Sequence, residues 1–130
     1  MAAEGLIVLA SRHGPNETME RLQAAVAEHG MAVMACIDHA AGAHEAGLTL
    51  TPTAVLIFGN AKAGTPLMQI SETIGLDLPL RVLIRESEDG KTRLVYADPV
   101  WTAARHGVDD VPVLAAIAQA LKAVTAAAAD

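Results

Sequence analysis

Two short segments bring together residue types that can do chemistry. The first, Gly59-Asn60-Ala61-Lys62-Ala63-Gly64-Thr65, follows an apolar run and leads into a helical pattern. Backbone N–H groups in a glycine-rich turn, the positive end of a helix and one lysine can together cradle a phosphate or carboxylate. On this reading Lys62 supplies charge, Asn60 a hydrogen bond, and the backbone at Gly64 and Thr65 the cradle. His39 joins them if its strand end lies beside the strand end at Phe58. The spacing is not that of a Walker A loop, because Thr65 directly follows Gly64 and Lys62 lies inside the segment. The competing reading is a tight turn in which Asn60 satisfies its own backbone.

The second segment is Asp38-His39, a carboxylate and an imidazole at a strand end, able to act as acid and base if a substrate lay between them. Adjacent strand residues point to opposite faces, so a direct dyad needs a bend here. The alternative gives Asp38 a helix-cap role and His39 a buried hydrogen bond. No metal is expected: His39 and His44 are five apart, and His13, His29 and His106 are scattered, so no pair has helical ligand spacing. No cofactor motif stands out. Cys36, the one cysteine, lies in an apolar strand and reads as an inert small hydrophobe. Ser11, Ser71 and Ser87 lack a nucleophile elbow. Met19, Met31, Met34 and Met68 read as core filling.

The elements that must position these residues belong to one small domain. The chain has 130 residues, with 52% hydrophobic and 2% aromatic content, enough for a self-supporting core without disulfide or metal. A formal net charge of −6 gives no counterion-release drive towards nucleic acid. Phe58, Tyr96 and Trp101 are too few for a base-stacking platform. Leu6–Ala10 is too short for a signal core, and no apolar run approaches the ~20 residues of a bilayer span, so a cytoplasmic protein with no membrane partner is expected.

Periodicity predicts a strand at Gly5–Ser11, a helix from Pro15 or Asn16 stopped by Gly30, and a strand at Met31–Ile37 that is apolar on both parities and so covered on both faces. A helical turn follows Asp38 up to Gly47, and then an interior strand at Thr53–Phe58. Thr65 as cap and Pro66 as first residue open a helix reaching Gly75. Asp89-Gly90 marks a hairpin between Leu80–Glu86 and Lys91–Ala97, with a two-residue turn pairing Glu86 with Arg93 and Leu83 with Tyr96. Asp98-Pro99 opens a short helix stopped by Gly107, and Asp110 with Pro112 opens the last, about 110–125, with a fraying alanine tail. The fold class is α+β: a mainly antiparallel sheet of four to five strands with two main helices on one face and short helical insertions. The free face is expected to carry Leu83, Leu94 and Tyr96 beside Arg81 and Arg85, or else the two faces are exchanged; the apolar patch is one that a homodimer would hide.

Several blocks occur in a fixed order: Asp38-His39-Ala40-Ala41, Phe58-Gly59-Asn60, Lys62-Ala63-Gly64-Thr65, Leu76-Asp77-Leu78-Pro79-Leu80 and Tyr96-Ala97-Asp98-Pro99. Over about residues 17–107 the chain resembles the family known as domain of unknown function number 302. It departs from that family's usual Phe-Gly-Asn-Pro-Lys by placing Ala61 where the proline stands. The resemblance implies a fold similar to the TATA-binding-protein class, with a curved antiparallel sheet and two main helices on one side, and often a homodimer. It implies no activity, and DNA binding does not follow from the fold. Three functions are therefore carried forward: binding of a small anionic ligand at the glycine-rich segment, a homodimeric interaction module without ligand, and an enzyme using Asp38 and His39.

Overall fold

The computed structural model describes residues 3–109 and 111–130. Its order is β1 (Leu6–Ser11), α1 (Pro15–Glu28), β2 (Ala32–Asp38), α2 (His39–Glu45), β3 (Thr53–Gly59), α3 (Ala61–Ile70), a 3-10 turn (Ile74–Asp77), β4 (Leu80–Glu86), β5 (Thr92–Ala97), α4 (Pro99–Arg105) and α5 (Pro112–Ala129). The five strands form one antiparallel sheet in the order β1-β5-β4-β3-β2. The α+β expectation, with an antiparallel sheet and helices packed on it, holds.

Strand parity builds the core. Ile7, Leu9, Leu56, Phe58, Val82, Ile84, Leu94 and Tyr96 fall on one face through the cross-strand pairs Ile7–Tyr96, Leu9–Leu94, Leu56–Val82 and Ile84–Leu94. Onto that face α1 brings Leu22, Ala25 and Val26, and α5 brings Leu114, Ile117, Leu121 and Val124. These positions recur at helical spacing, so each helix buries one stripe.

Five sequence expectations are corrected. The strand expected to be covered on both faces is the sheet edge, and all seven residues of β2 are exposed, with Met34 at 55% and Ile37 at 44%. Apolar parity reports side-chain type, whereas coverage depends on which strands lie alongside. Met34 and Met68 are likewise exposed rather than core-filling. The Asp89-Gly90 turn has three residues, not two: Ser87 N–H donates to the Lys91 carbonyl and Gly90, at φ 81°, supplies the left-handed bulge. The register therefore pairs Leu83 with Val95, Ile84 with Leu94 and Glu86 with Thr92. Leu94 and Tyr96 are consequently buried beneath the helices, and only Leu83 of the expected patch lies on the open face. Finally, α5 continues to Ala129 without fraying. The Arg12 N–H donates to the Ala129 carbonyl, and the Arg21 guanidinium donates to the carbonyls of Ala127 and Ala128, supplying partners that the last helical turn lacks. The proposed Asp110 cap lies outside the described residues. By length and composition α5 could cross a membrane, but its apolar stripe packs against the core.

The turn also carries a bidentate ion pair. Arg93 donates two parallel hydrogen bonds to the Asp89 carboxylate, at 3.0 and 2.9 Å, and the Lys91 N–H adds a third at 3.0 Å. The guanidinium, then the backbone donor, lower the Asp89 pKa to about 2. Because the folded value lies below the unfolded one, the contribution is complete above the ordinary aspartate range and is lost as pH falls through about 2. An NMR titration should place the Asp89 midpoint at about 2, and Arg93→Gln should return it towards the ordinary range.

Candidate functional site

The glycine-rich segment is not a loop. Asn60, not Thr65, caps α3: its side-chain oxygen accepts from the Lys62 N–H at 2.8 Å, and its carbonyl accepts from Ala63 and Gly64 N–H at 3.0 Å. Gly64, Thr65 and Pro66 lie inside the helix, which ends at Ile70 rather than Gly75. An asparagine in extended conformation, followed by alanine and lysine with good helix propensity, starts the helix five residues earlier than the Thr-Pro signal suggested. The Gly64 N–H expected to cradle an anion is thus spent on Asn60.

The same segment nevertheless walls a cavity of about 380 Å³. Gly59, Asn60, Ala63, Gly64 and Thr65 form one side, Met31, Met34 and Met68 a second, and Leu78, Leu80 and Ile117 the rest. The space exists partly because three wall positions, Gly59, Gly64 and Gly75, lack a side chain. A Cβ at Gly64 would lie 3.8 Å from Leu78 and 3.9 Å from Met68, and one at Gly59 would lie 3.4 Å from Pro79. His29, also in the wall, holds its Nδ1 on the Ala25 carbonyl at 2.9 Å. Of the residues expected to bind a ligand, Asn60, Gly64 and Thr65 line this cavity, whereas Lys62 and His39 do not.

Asp38 and His39 are not brought to either cavity described here. The Asp38 carboxylate accepts from the Ala41 N–H at 2.9 Å and caps α2. His39 begins that helix with an exposed side chain, not a buried one. Cys36 is exposed on the β2 edge, and the burial it does have, followed by the nearby Asp38 carboxylate, raises its thiol pKa. Among the described residues no three His, Cys, Asp or Glu side chains are grouped to hold a metal ion.

A second cavity, of about 360 Å³, opens where β4 and β5 part. Their ladder runs only from Glu86–Thr92 to Leu83–Val95. Beyond it, Leu80–Val82 pair with β3 alone, and Tyr96 and Ala97 with β1 alone. The resulting cleft is lined from both sides of the sheet, by Leu83 and Val95 on the open face and by Leu67, Ile74 and Tyr96 on the core face. Trp101 stands at its mouth over Gly5, whose φ of 83° and lack of Cβ let the indole pack within 2.4 Å of where a Cβ would be. Asp77, Arg81 and Arg105 complete the lining.

Asp77 anchors a relay that the sequence did not disclose. Its Oδ2 meets His106 Nε2 at 2.5 Å, and His106 Nδ1 meets Thr73 Oγ1 at 2.7 Å. A carboxylate only accepts, so the Nε2–H donates to Asp77, while Nδ1 and the Thr73 hydroxyl share the second hydrogen bond. The His106 side chain is 5% exposed and that of Asp77 16%. Ser71 Oγ donates to the His106 carbonyl at 3.2 Å, so the 3-10 turn and the end of α4 are stapled together beside the cleft. His106 and Asp77 lie 29 residues apart with no local motif joining them, and only the fold brings them into contact.

The architecture is that of an α+β domain with one helix-covered sheet face and two small cavities at the helix–sheet margin. Within that class, the chain belongs to the family described as Domain of unknown function DUF302, whose profile matches residues 7–128. The crystal structure of an uncharacterized conserved DUF302 protein from Bacillus stearothermophilus has the same fold, with a TM-score of 0.79 at 23% identity and 98% of each chain covered. Among curated proteins, the fluoride-specific ion channel FluC 1 of Brucella suis is 51% identical over 104 residues, covering 80% of this chain and 41% of that protein. FluC 2 of Brucella melitensis matches at the same identity over 38% of its length. The chain therefore spans about two-fifths of the length of these relatives.

Removing the imidazole leaves a poorly solvated carboxylate without its donor. His106→Ala should lower stability by about 1–3 kcal/mol in chemical denaturation, and Thr73→Val, which removes only the exposed hydroxyl, by less than about 1 kcal/mol.

Proposed function

We propose that this domain is a small-molecule-binding module whose ligand has an apolar body and one anionic end. The observation that carries this reading is the methionine-lined cavity bounded by Gly59–Thr65. Its volume of about 380 Å³ falls in the ~300–1,000 Å³ range of ligand pockets. Thioether walls adapt to the shape of an apolar guest. The anionic end sits at the rim where α3 begins, beside Asn60, and Lys62, outside the lining itself, adds positive charge to the first helical turn, where the dipole also favours an anion. The partial coverage of the Brucella channels supports a module that also occurs within longer chains. Asp38 and His39 as an acid–base pair gain no support, since the Asp38 carboxylate is committed to its helix cap.

Gly64→Leu tests the reading cleanly. It extends into the cavity from a helical position whose Cβ alone meets ordinary contacts, 3.8 Å from Leu78 and 3.9 Å from the flexible Met68, and its propensity favours α3 by up to about 1 kcal/mol. Wild type should bind the amphipathic anion anilinonaphthalene sulfonate saturably. Gly64→Leu should melt no lower and bind at least about tenfold more weakly, and Lys62→Gln should weaken binding a few-fold at low salt. Unaltered binding by Gly64→Leu, or none by wild type, defeats the proposal.

A homodimer is the second reading, favoured by the β2 edge. Its seven residues Ala32–Asp38 are exposed, and six of them are uncharged, leaving an apolar row of unpaired ladder groups of the kind that invites strand pairing. Light scattering should give a dimer for wild type and a monomer for Ile37→Lys with unchanged melting, and a wild-type monomer removes the reading.

A further inference from the structure

We infer that the cleft between β4 and β5 is a second binding site, backed against the methionine-lined cavity across the shared wall residues Leu78, Leu80 and Ile117, and that it takes a small organic carboxylate held by Arg81 and Arg105. The two guanidinium groups come from different elements, β4 and the last turn of α4, and each is about half exposed. Both converge on Asp77, at 3.7 and 3.8 Å. Those separations are close enough for attraction but too long for hydrogen bonds, so the N–H forks are gathered at the cleft without being spent on the carboxylate. Asp77 cannot swing out to take them up, because His106 holds its Oδ2 at 2.5 Å and Thr73 fixes the far side of the ring. Two cations over one anion leave positive charge at this mouth, on a chain whose formal net charge is −6.

The rest of the cleft selects the body of the guest. Trp101, Tyr96, Leu83 and Val95 present an aromatic and aliphatic wall behind the arginines. A carboxylate matches a planar guanidinium fork with two parallel hydrogen bonds, while an attached ring or short chain fills the wall and excludes water from those bonds. An inorganic anion satisfies the arginines and leaves the wall wet, so the site favours an organic carboxylate over free phosphate.

Trp101 is the chain's one tryptophan and lines the cleft, so its fluorescence reports occupancy directly. Titration with benzoate should change that fluorescence saturably. Arg81→Gln and Arg105→Gln should each weaken binding about tenfold while melting like wild type, and Arg93→Gln, at the far turn, should leave it unchanged. Benzyl alcohol and inorganic phosphate should each bind at least about tenfold more weakly than benzoate. Gly64 lines the other cavity and not this cleft, so Gly64→Leu should bind benzoate as wild type does. The inference is overturned if benzoate gives no saturable response, if neither arginine variant weakens it, if phosphate competes equally well, or if Gly64→Leu abolishes it.

Discussion

The cleft between β4 and β5 depends on the register of that strand pair. The bulged turn at Gly90 sets Ile84 opposite Leu94 and Leu83 opposite Val95. Because side chains alternate with a period of two, that choice sends Val82, Ile84, Leu94 and Tyr96 to the helices and leaves Arg81, Leu83 and Val95 on the open face. Carried further, the same register would set Pro79 opposite Pro99. Neither residue has a backbone N–H to give, and the ladder ends before reaching them. The strands separate beyond Leu83–Val95, and the cleft occupies the gap.

The separation is closed structurally by polar contacts rather than by strand pairing. The 3-10 turn enters β4 on one side of the gap and α4 leaves β5 on the other. The relay from Thr73 through His106 to Asp77 ties the two together. Such a network gains its rigidity from being fully satisfied: each imidazole nitrogen has a partner, and the carboxylate is turned towards the cleft. Charge is thereby fixed at the mouth of an otherwise apolar space.

The methionine-lined cavity has a different origin. Three glycines, Gly59, Gly64 and Gly75, stand in its wall, and at Gly75 a Cβ would press to 3.2 Å against the Met68 sulfur. The space is therefore made by side chains that are absent, flanked by flexible ones that can follow a guest. This contrasts with the close packing of Leu22, Leu56 and Phe58, all fully buried, a few residues away.

Local chemistry was legible in the sequence wherever the cause was local. Asp38 and Asp98 announce themselves as helix caps, Gly30 and Gly107 as stops, and the apolar spacing of α1 and α5 as core stripes, because each signal acts within one turn of backbone. The family resemblance, carried by ordered blocks, likewise predicted the α+β sheet. Tertiary structure alone decided which strand became the edge, since β2 and β3 have similar apolar patterns and only β3 has neighbours on both sides. The Asn60 cap that prevailed over the Thr65-Pro66 signal is itself local, but only the packing around α3 made Gly64 and Thr65 a cavity wall. The Asp77–His106 contact and the two arginines beside it could be found only in the tertiary structure, since strand separation and a 29-residue return of the chain leave no trace in local spacing.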